Sequence, residues 1–433
     1  MKYAVVGTGS RHLMFRDAVI STFSDTNELV GLCDSNPHRL ELSAGQTRQI
    51  TGKPVAAYAA DDFDRMIAEQ RPDVVIITVP DYLHDRYIAR ALELGSDVIT
   101  EKPMTIDIGR LRAVLEAKKK TGKSITVSFN YRYAPHRTQV KDILMSGAIG
   151  EITAVDFRWY LDRVHGADYC RRWHRYKDRS GGLLVHKATH HFDLVNWWIA
   201  STPKTVHAFG KRAFCRPEMA DSLGLTDRGE RCHGCPAAAR CDYKLDMADH
   251  EGLKQLYLDG ESYDGYFRDR CVFADDITIE DTMQVQARYA SGATMNYTLV
   301  AYSPWEGLEI KFHGTKGELT HRHVEVHGIF GGKRTPGARE SIATELHLAG
   351  GDPQPIEVWR GEGAHGGGDR VMLGHLFDKA NVPADKYGRA ASEVMGAWSI
   401  LTGIAANTSI ATGAVVDVDR LLRDNGINLA RPS

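Results

Sequence analysis

The chain has 433 residues, enough for two domains with a sizeable core. Its 42% hydrophobic and 25% charged residues and its formal net charge of −2 are those of an ordinary globular protein, and they exclude a general binder of nucleic acid or membrane surfaces. No apolar run approaches the roughly 20 residues of a membrane span, and the N-terminus enters a strand directly. We therefore expect no signal peptide, no membrane partner, and a cytoplasmic protein whose seven cysteines are mostly reduced.

Residues 2–9 read as a strand and turn, Tyr3-Ala4-Val5-Val6-Gly7-Thr8-Gly9. An apolar strand closing on Gly-x-Gly is the opening of a dinucleotide fold: the first glycine permits the tight turn, and the second lets backbone approach a pyrophosphate. The third glycine of that fingerprint is replaced by His12. Residues 28–34 form a second strand ending in Asp34, whose carboxylate would accept from the ribose hydroxyls of NAD, although Asp-Ser-Asn-Pro is also helix-capping chemistry and Arg39 leaves NADP open. Residues 61–70 are helical and lead into Val74-Val75-Ile76-Ile77-Thr78-Val79-Pro80, a strand buried on both faces as in a parallel sheet. A helix over 82–94, a strand ending in Thr100-Glu101-Lys102-Pro103, a helix over 106–121 and a strand at 124–129 complete an alternation of about 130 residues. That pattern predicts a doubly wound α/β domain over residues 1–130.

Beyond residue 130 the pattern changes. A helix over 135–147 is followed by short alternating strands at 152–159, 282–289, 293–298 and 309–314, which predict a second α/β domain (131–433) with a large, mainly antiparallel sheet. A polar, strand-poor insertion spans roughly 213–280, and residues 390–407 read as a helix returning to the domains.

These residues carry a resemblance. Gly7-x-Gly9, Asp34, Thr78-Val79-Pro80 with His84, Glu101-Lys102-Pro103, Asn130-Tyr131-Arg132 and Gly181–Asp193 follow one another as in the glucose–fructose oxidoreductase and inositol dehydrogenase (Gfo/Idh/MocA) family. The chain resembles that family well over about residues 1–200 and more loosely beyond. The resemblance implies an N-terminal Rossmann domain whose cofactor, NAD or NADP, is lined by Gly7, Gly9, Ser10, Arg11, His12, Asp34, Val79, Pro80, His84, Glu101 and Lys102. It implies that Lys102 and His190 are the catalytic pair, and that the protein is a dimer or tetramer. Lys102 would sit beside the nicotinamide and the reacting hydroxyl, where a cation steadies alkoxide charge. The chain departs from the family at His186, where an aspartate is usual.

Five further features bear on chemistry. On one helix, His186 and His190 would share a face; they would serve a proton relay, or zinc by their i, i+4 spacing. Tyr131, Arg132, His186 and Asp193 would position substrate. Residues 158–179 interleave basic side chains with Tyr160, Tyr169, Trp173 and Tyr176; this is a solvated loop or a site for a sugar, whose anionic substituents the arginines would suit. Cys215, Cys232, Cys235 and Cys241 have the spacing of a structural zinc site in the insertion. The run Gly361–Asp369 is too glycine-dense for a helix or strand interior, and His365 within it makes a ligand-facing loop attractive. The expected activity is NAD(P)-dependent oxidation of a carbohydrate or polyol hydroxyl. The competing readings are an NAD-dependent glycosidase working by transient C3 oxidation, and a non-catalytic nucleotide-binding regulator.

Overall fold

The computed structural model describes residues 1–325, 341–362, 364–378 and 380–432. The chain folds into two compact units. The first comprises Met1–Phe129, Asp246–Arg268 and Arg370–Gly396; the second comprises Asn130–Leu245, Asp269–Asp369 and Ala397–Ser433. A single cut near residue 130 therefore describes the first crossing of the chain only. Part of the insertion and a later segment return to the first unit, because compactness follows spatial neighbours and not chain order.

The first unit is built on six parallel strands: β1 (Lys2–Val6), β2 (Glu28–Asp34), β3 (Ala56–Ala59), β4 (Val74–Ile77), β5 (Asp97–Thr100) and β6 (Ile125–Val127). Their order is β6-β5-β4-β1-β2-β3, the doubly wound order of a Rossmann domain. A short antiparallel strand, Ala391–Ser392, closes the β6 edge. All four residues of β4 are buried, as its unbroken β-branched run requires. The helices are bounded where their caps dictate. Asn36 accepts from the Arg39 N–H ahead of the helix Pro37–Thr51, and Asp107 accepts from the Arg110 N–H ahead of Ile108–Thr121. Gly52 and Gly122 end these two helices in the left-handed conformation.

The second unit is organised on a nine-stranded sheet. Its strands are β7 (Ile152–Asp162), β8 (Pro203–Lys211), β9 (Thr282–Tyr289), β10 (Thr294–Ser303), β11 (Glu306–Gly314), β12 (Gly317–Glu325), β13 (Ser341–Leu348) and β14 (Gln354–Ile356), with the short strand Val416–Asp417. The order β14-β13-β12-β11-β7-β10-β9-β8 ends on Val416–Asp417, and every pairing but β7 with β10 is antiparallel. The alternation read from the sequence is the alternation of buried and exposed residues along β9 and β10. The expected C-terminal helix runs from Glu393 to Thr412. It is apolar and long enough to cross a membrane by length and composition, but 67% of its apolar window is buried in the protein.

One face of β12 carries a buried histidine cluster. His321 and His323 alternate on that face, and His136 of the helix Pro135–Met145 stacks on His321 at 5.5 Å and meets His323 edge-on at 4.6 Å. Burial pushes His321 down to about 3 from 6.5, and His136 well below its ordinary value. These rings are held neutral in the fold while the unfolded chain protonates below pH 6.5, so their contribution is full above that pH and is lost as pH falls towards about 3. The free energy of urea unfolding should therefore fall with decreasing pH, with His321 alone adding a slope of about 1.4 kcal/mol per pH unit across this window. His321→Gln should remove that part of the slope; an unchanged slope would show that His321 does not take up a proton on unfolding.

Candidate functional site

The carboxyl end of the first unit's sheet is fixed by close backbone contacts. Gly7 has φ 91°, and a Cβ there would stand 2.7 Å from the Val79 nitrogen, so only glycine lets the β1 turn lie against the end of β4. The Gly7 N–H donates to Cys33 O, and Thr78 Oγ1 donates to Gly7 O at 2.6 Å. Asp34 accepts from the Thr8 N–H at 2.5 Å, the Thr8 hydroxyl at 3.0 Å and the Asn36 N–H at 2.7 Å. Three strand ends thus form one platform. The glycine-lined turn, free of side chains at Gly7 and Gly9, with an acidic residue ending β2, fits a dinucleotide.

His12 fills the place of the missing third glycine. Its ring is buried, with Nδ1 donating to Gly9 O at 2.5 Å and Nε2 accepting from Ser43 Oγ at 2.7 Å, and burial pushes it down to about 4. His12 therefore braces the turn against the helix Pro37–Thr51. Both of its nitrogens are engaged by protein.

The Lys102 turn follows β5. The Lys102–Pro103 peptide bond is cis. Glu101 is ion-paired with Arg11 at 2.7 Å and also accepts from Ser128 Oγ and the Lys102 N–H. His84 lies with Nδ1 2.8 Å from Pro103 O and Nε2 3.0 Å from Val79 O. Burial pushes its pKa down, so the neutral ring donates to one carbonyl at a time. His84 consequently holds the Val79-Pro80 and Pro103 segments together, while Glu101 ties the Lys102 turn to Arg11 and Ser128.

In the second unit, Tyr131 is the centre of a buried polar cluster. The His190 ring stacks on it at 4.1 Å and 13°, Arg137 lies 3.9 Å over its centroid, and Lys187 Nζ donates to its hydroxyl at 3.1 Å. Burial pushes the Tyr131 phenol well above its ordinary range, so it remains protonated. Burial pushes the Lys187 ammonium down, opposed by Glu306 and Glu325. Burial would raise Glu325, but His323, Arg137 and Lys187 together hold it at about 2. His365, at φ 52°, lies 5.7 Å from Tyr131 and pairs with Asp369 at 2.8 Å, which in turn accepts from Asn130. Gly366 and Gly368 press against His136 and the Asn130 carbonyl, which explains the glycine density of the described part of this loop; Gly363 lies outside the described residues. His186 belongs to a neighbouring aromatic group with His174 at 4.2 Å, Tyr169 at 5.3 Å and Trp173 at 6.0 Å.

Several expectations are corrected here. His186 and His190 are not on one helix: Leu183–His186 ends at Lys187, and a new helix starts at Thr189, so the i, i+4 zinc geometry does not form. Arg132 and Asp193, read from the sequence as substrate-positioning residues, engage each other. They form a two-bonded ion pair at 2.7 and 2.6 Å, with side chains 2% and 1% exposed. Cys215 sits against Cys170, while Cys232, Cys235 and Cys241 line a cavity with Cys271. Among the described residues no group of three or more His, Cys, Asp or Glu is arranged to hold a metal ion, so the zinc expectation lacks support. Part of the basic run is paired within the protein: Arg172 with Asp168, Arg175 with Asp276 and Lys177 with Glu280. The sequence reading did not select Lys187, Arg137, Glu306 or Glu325. A lysine directly after Leu183-Leu184-Val185-His186 was the available signal for Lys187, since a cation among buried residues needs a purpose; the two glutamates come from distant strands and had none.

Comparison with known proteins adds to this geometry. The profile of the oxidoreductase family's NAD-binding Rossmann fold matches residues 1–129, and that of its C-terminal alpha/beta domain matches residues 141–418. A Bacillus subtilis (strain 168) protein named as an oxidoreductase, YteT, is 34% identical over 417 residues, covering 95% of this chain and 96% of its own. The inositol 2-dehydrogenase of Rhizobium meliloti (strain 1021) is 29% identical over 182 residues, 42% of this chain and 50% of its own. The solved WlbA dehydrogenase of Bordetella pertussis, in complex with NADH and UDP-GlcNAcA, shares the fold at a TM-score of 0.63 and 18% identity, over 96% of this chain and 98% of its own.

The Arg132–Asp193 pair provides a stability test. Asp193→Ala leaves a guanidinium buried without its carboxylate and should cost about 3–5 kcal/mol in urea unfolding. The double variant Arg132→Met with Asp193→Leu should recover most of that loss; equal destabilisation by both would show that volume, and not the stranded charge, sets the cost.

Proposed function

The chain belongs to the Gfo/Idh/MocA oxidoreductase family, and from that premise we propose that it oxidises a hydroxyl of a carbohydrate or polyol with NAD as acceptor. The observation that carries the reading is the buried stack of His190 on Tyr131 with Lys187 on the phenol oxygen, a set of proton-handling groups held out of water. Gly7, Gly9 and Asp34 would hold the cofactor, which when bound accepts a hydride from the substrate carbon.

The remaining chemistry falls to the protein. Lys102, at the carboxyl end of β5 on a turn pinned by Glu101 and His84, supplies a cation that stabilises alkoxide as the hydroxyl loses its proton. His190 accepts that proton; its ring plane is set by Tyr131. Tyr131 stays a neutral phenol, so its hydroxyl can accept from Lys187 without adding negative charge to the stack. His186, standing where the family usually has an aspartate, brings a ring that carries no negative charge; with Trp173 it offers a sugar an aromatic surface. The name of the inositol 2-dehydrogenase supports a polyol among the substrates to be tried first.

The test is a panel of polyols, sugars and aryl glycosides with purified protein and NAD, following NADH and aglycone together. NADH formation without aglycone release is expected. Aglycone release without net NADH would replace the dehydrogenase with the redox glycosidase, and neither signal across the panel would overturn both. On the substrate found, Lys102→Met should lower kcat by about 10²–10⁴-fold, as loss of a positioned proton-transfer or charge-stabilising group does. His190→Asn should lower kcat by a similar factor. A Lys102→Met enzyme with near wild-type kcat would remove Lys102 from the mechanism.

A further inference from the structure

The insertion that follows β8 does not remain with the second unit throughout. Its segment Asp246–Arg268 belongs to the first unit and lies on the residues that the cofactor reading assigns to the dinucleotide. The Tyr257 hydroxyl accepts from the Ser10 N–H at 3.0 Å and donates to Ser10 Oγ at 3.1 Å. Asn36 Nδ2 donates to Gly260 O at 2.9 Å, and His38 Nε2 lies 2.8 Å from Gln255 O. The segment is therefore tied both to the glycine turn and to the loop after β2.

The last tie is ionic. Arg39 Nη2 lies 2.6 Å from Asp264 Oδ2 and 3.5 Å from Asp34 Oδ1, and the Arg39 and Asp264 side chains are only 11% and 20% exposed. Arg39 is the cation that could meet a phosphate on the adenosine ribose, the feature that separates NADP from NAD. Its shorter contact is to Asp264, which engages it with a charge-assisted bond and brings a second carboxylate to the end of β2. One guanidinium between two carboxylates leaves a net negative charge there. A ribose diol can donate to that charge, whereas a dianionic phosphate is repelled by it and finds Arg39 already paired.

We infer that Asp264 is a specificity-determining residue: by holding Arg39 from the inserted segment it commits the nucleotide site to NAD and against NADP. The inference rests on the cofactor reading above. It concerns a residue about 230 positions beyond the strand that ends in Asp34, in a segment outside the strand-helix alternation of the Rossmann domain.

Direct binding of NADH and NADPH to the purified full-length protein, followed by nicotinamide fluorescence, tests it without need of a substrate. Wild-type protein should bind NADH more tightly. Asp264→Asn keeps the side chain's shape, removes its charge and weakens its hold on Arg39. It should tighten NADPH by about tenfold while leaving NADH within about threefold, the size expected for removing one partly screened like charge. Adding Arg39→Met to Asp264→Asn should abolish the gain, because the gain needs the released guanidinium. An Asp264→Asn protein whose NADPH-to-NADH ratio is unchanged, including one that loses both equally because the segment has loosened, overturns the inference while leaving the cofactor reading intact. Tighter NADPH binding by wild-type protein also overturns it. Wild-type protein that binds neither nucleotide overturns the cofactor reading and the inference with it.

Discussion

The constraint on which the first unit depends is the absence of a side chain at Gly7. The turn after β1 runs so close to the end of β4 that any Cβ would collide with backbone at Val79, and the conformation itself is one that L-residues avoid. From that close approach the rest follows. Thr78 can reach the Gly7 carbonyl, Thr8 can reach Asp34, and the ends of β1, β2 and β4 lock into one rigid edge. The Lys102 turn is tied to this edge through His84, which faces carbonyls on both segments. The backbone of the Lys102 turn is thereby fixed relative to the glycine turn.

The second unit meets a different problem, that of keeping many ionisable groups out of water. Arg132 and Asp193 settle it by satisfying each other with two parallel bonds. Lys187, Arg137 and Glu325 settle it collectively: two cations and the His323 ring hold the glutamate ionised, while burial weakens the lysine's hold on its proton. The first pair is closed, each partner satisfied by the other. The second set is graded, with a weakened cation resting on a phenol that stacks against a histidine. That contrast separates a self-satisfied ion pair from a cluster whose protonation balance is shifted by burial, although all of them are buried and polar.

Much of the architecture was written locally. An apolar run closing on Gly-x-Gly, β-branched strands separated by capped helices, and Asn36, Asp107, Gly52 and Gly122 at the helix ends each state a conformation within a few residues of themselves. The family resemblance was likewise carried by short motifs. Local pattern misled where a helix had to break: nothing in His186-Lys187-Ala188-Thr189-His190 announces that the turn stops at Lys187 and restarts at Thr189, and with that break the two histidines part company. It misled again with cysteines, because spacing grouped Cys215 with the others while folding put it beside Cys170 and brought Cys271 to the cavity instead.

What the sequence determined by itself was whatever depends on neighbours along the chain: strand and helix periods, the positions that only glycine can occupy, the caps, and the motifs that mark a nucleotide turn and a lysine at a strand end. What only the tertiary structure decided was which charges meet. Arg132 finds Asp193 across 61 residues, Arg39 finds Asp264 across 225, and Ser10 finds Tyr257 across 247. Backbone preference is set by sterics within a few residues, so it can be read in order. Ion pairs and buried hydrogen bonds are set by where the chain returns in space, and that return is fixed only when the whole core packs.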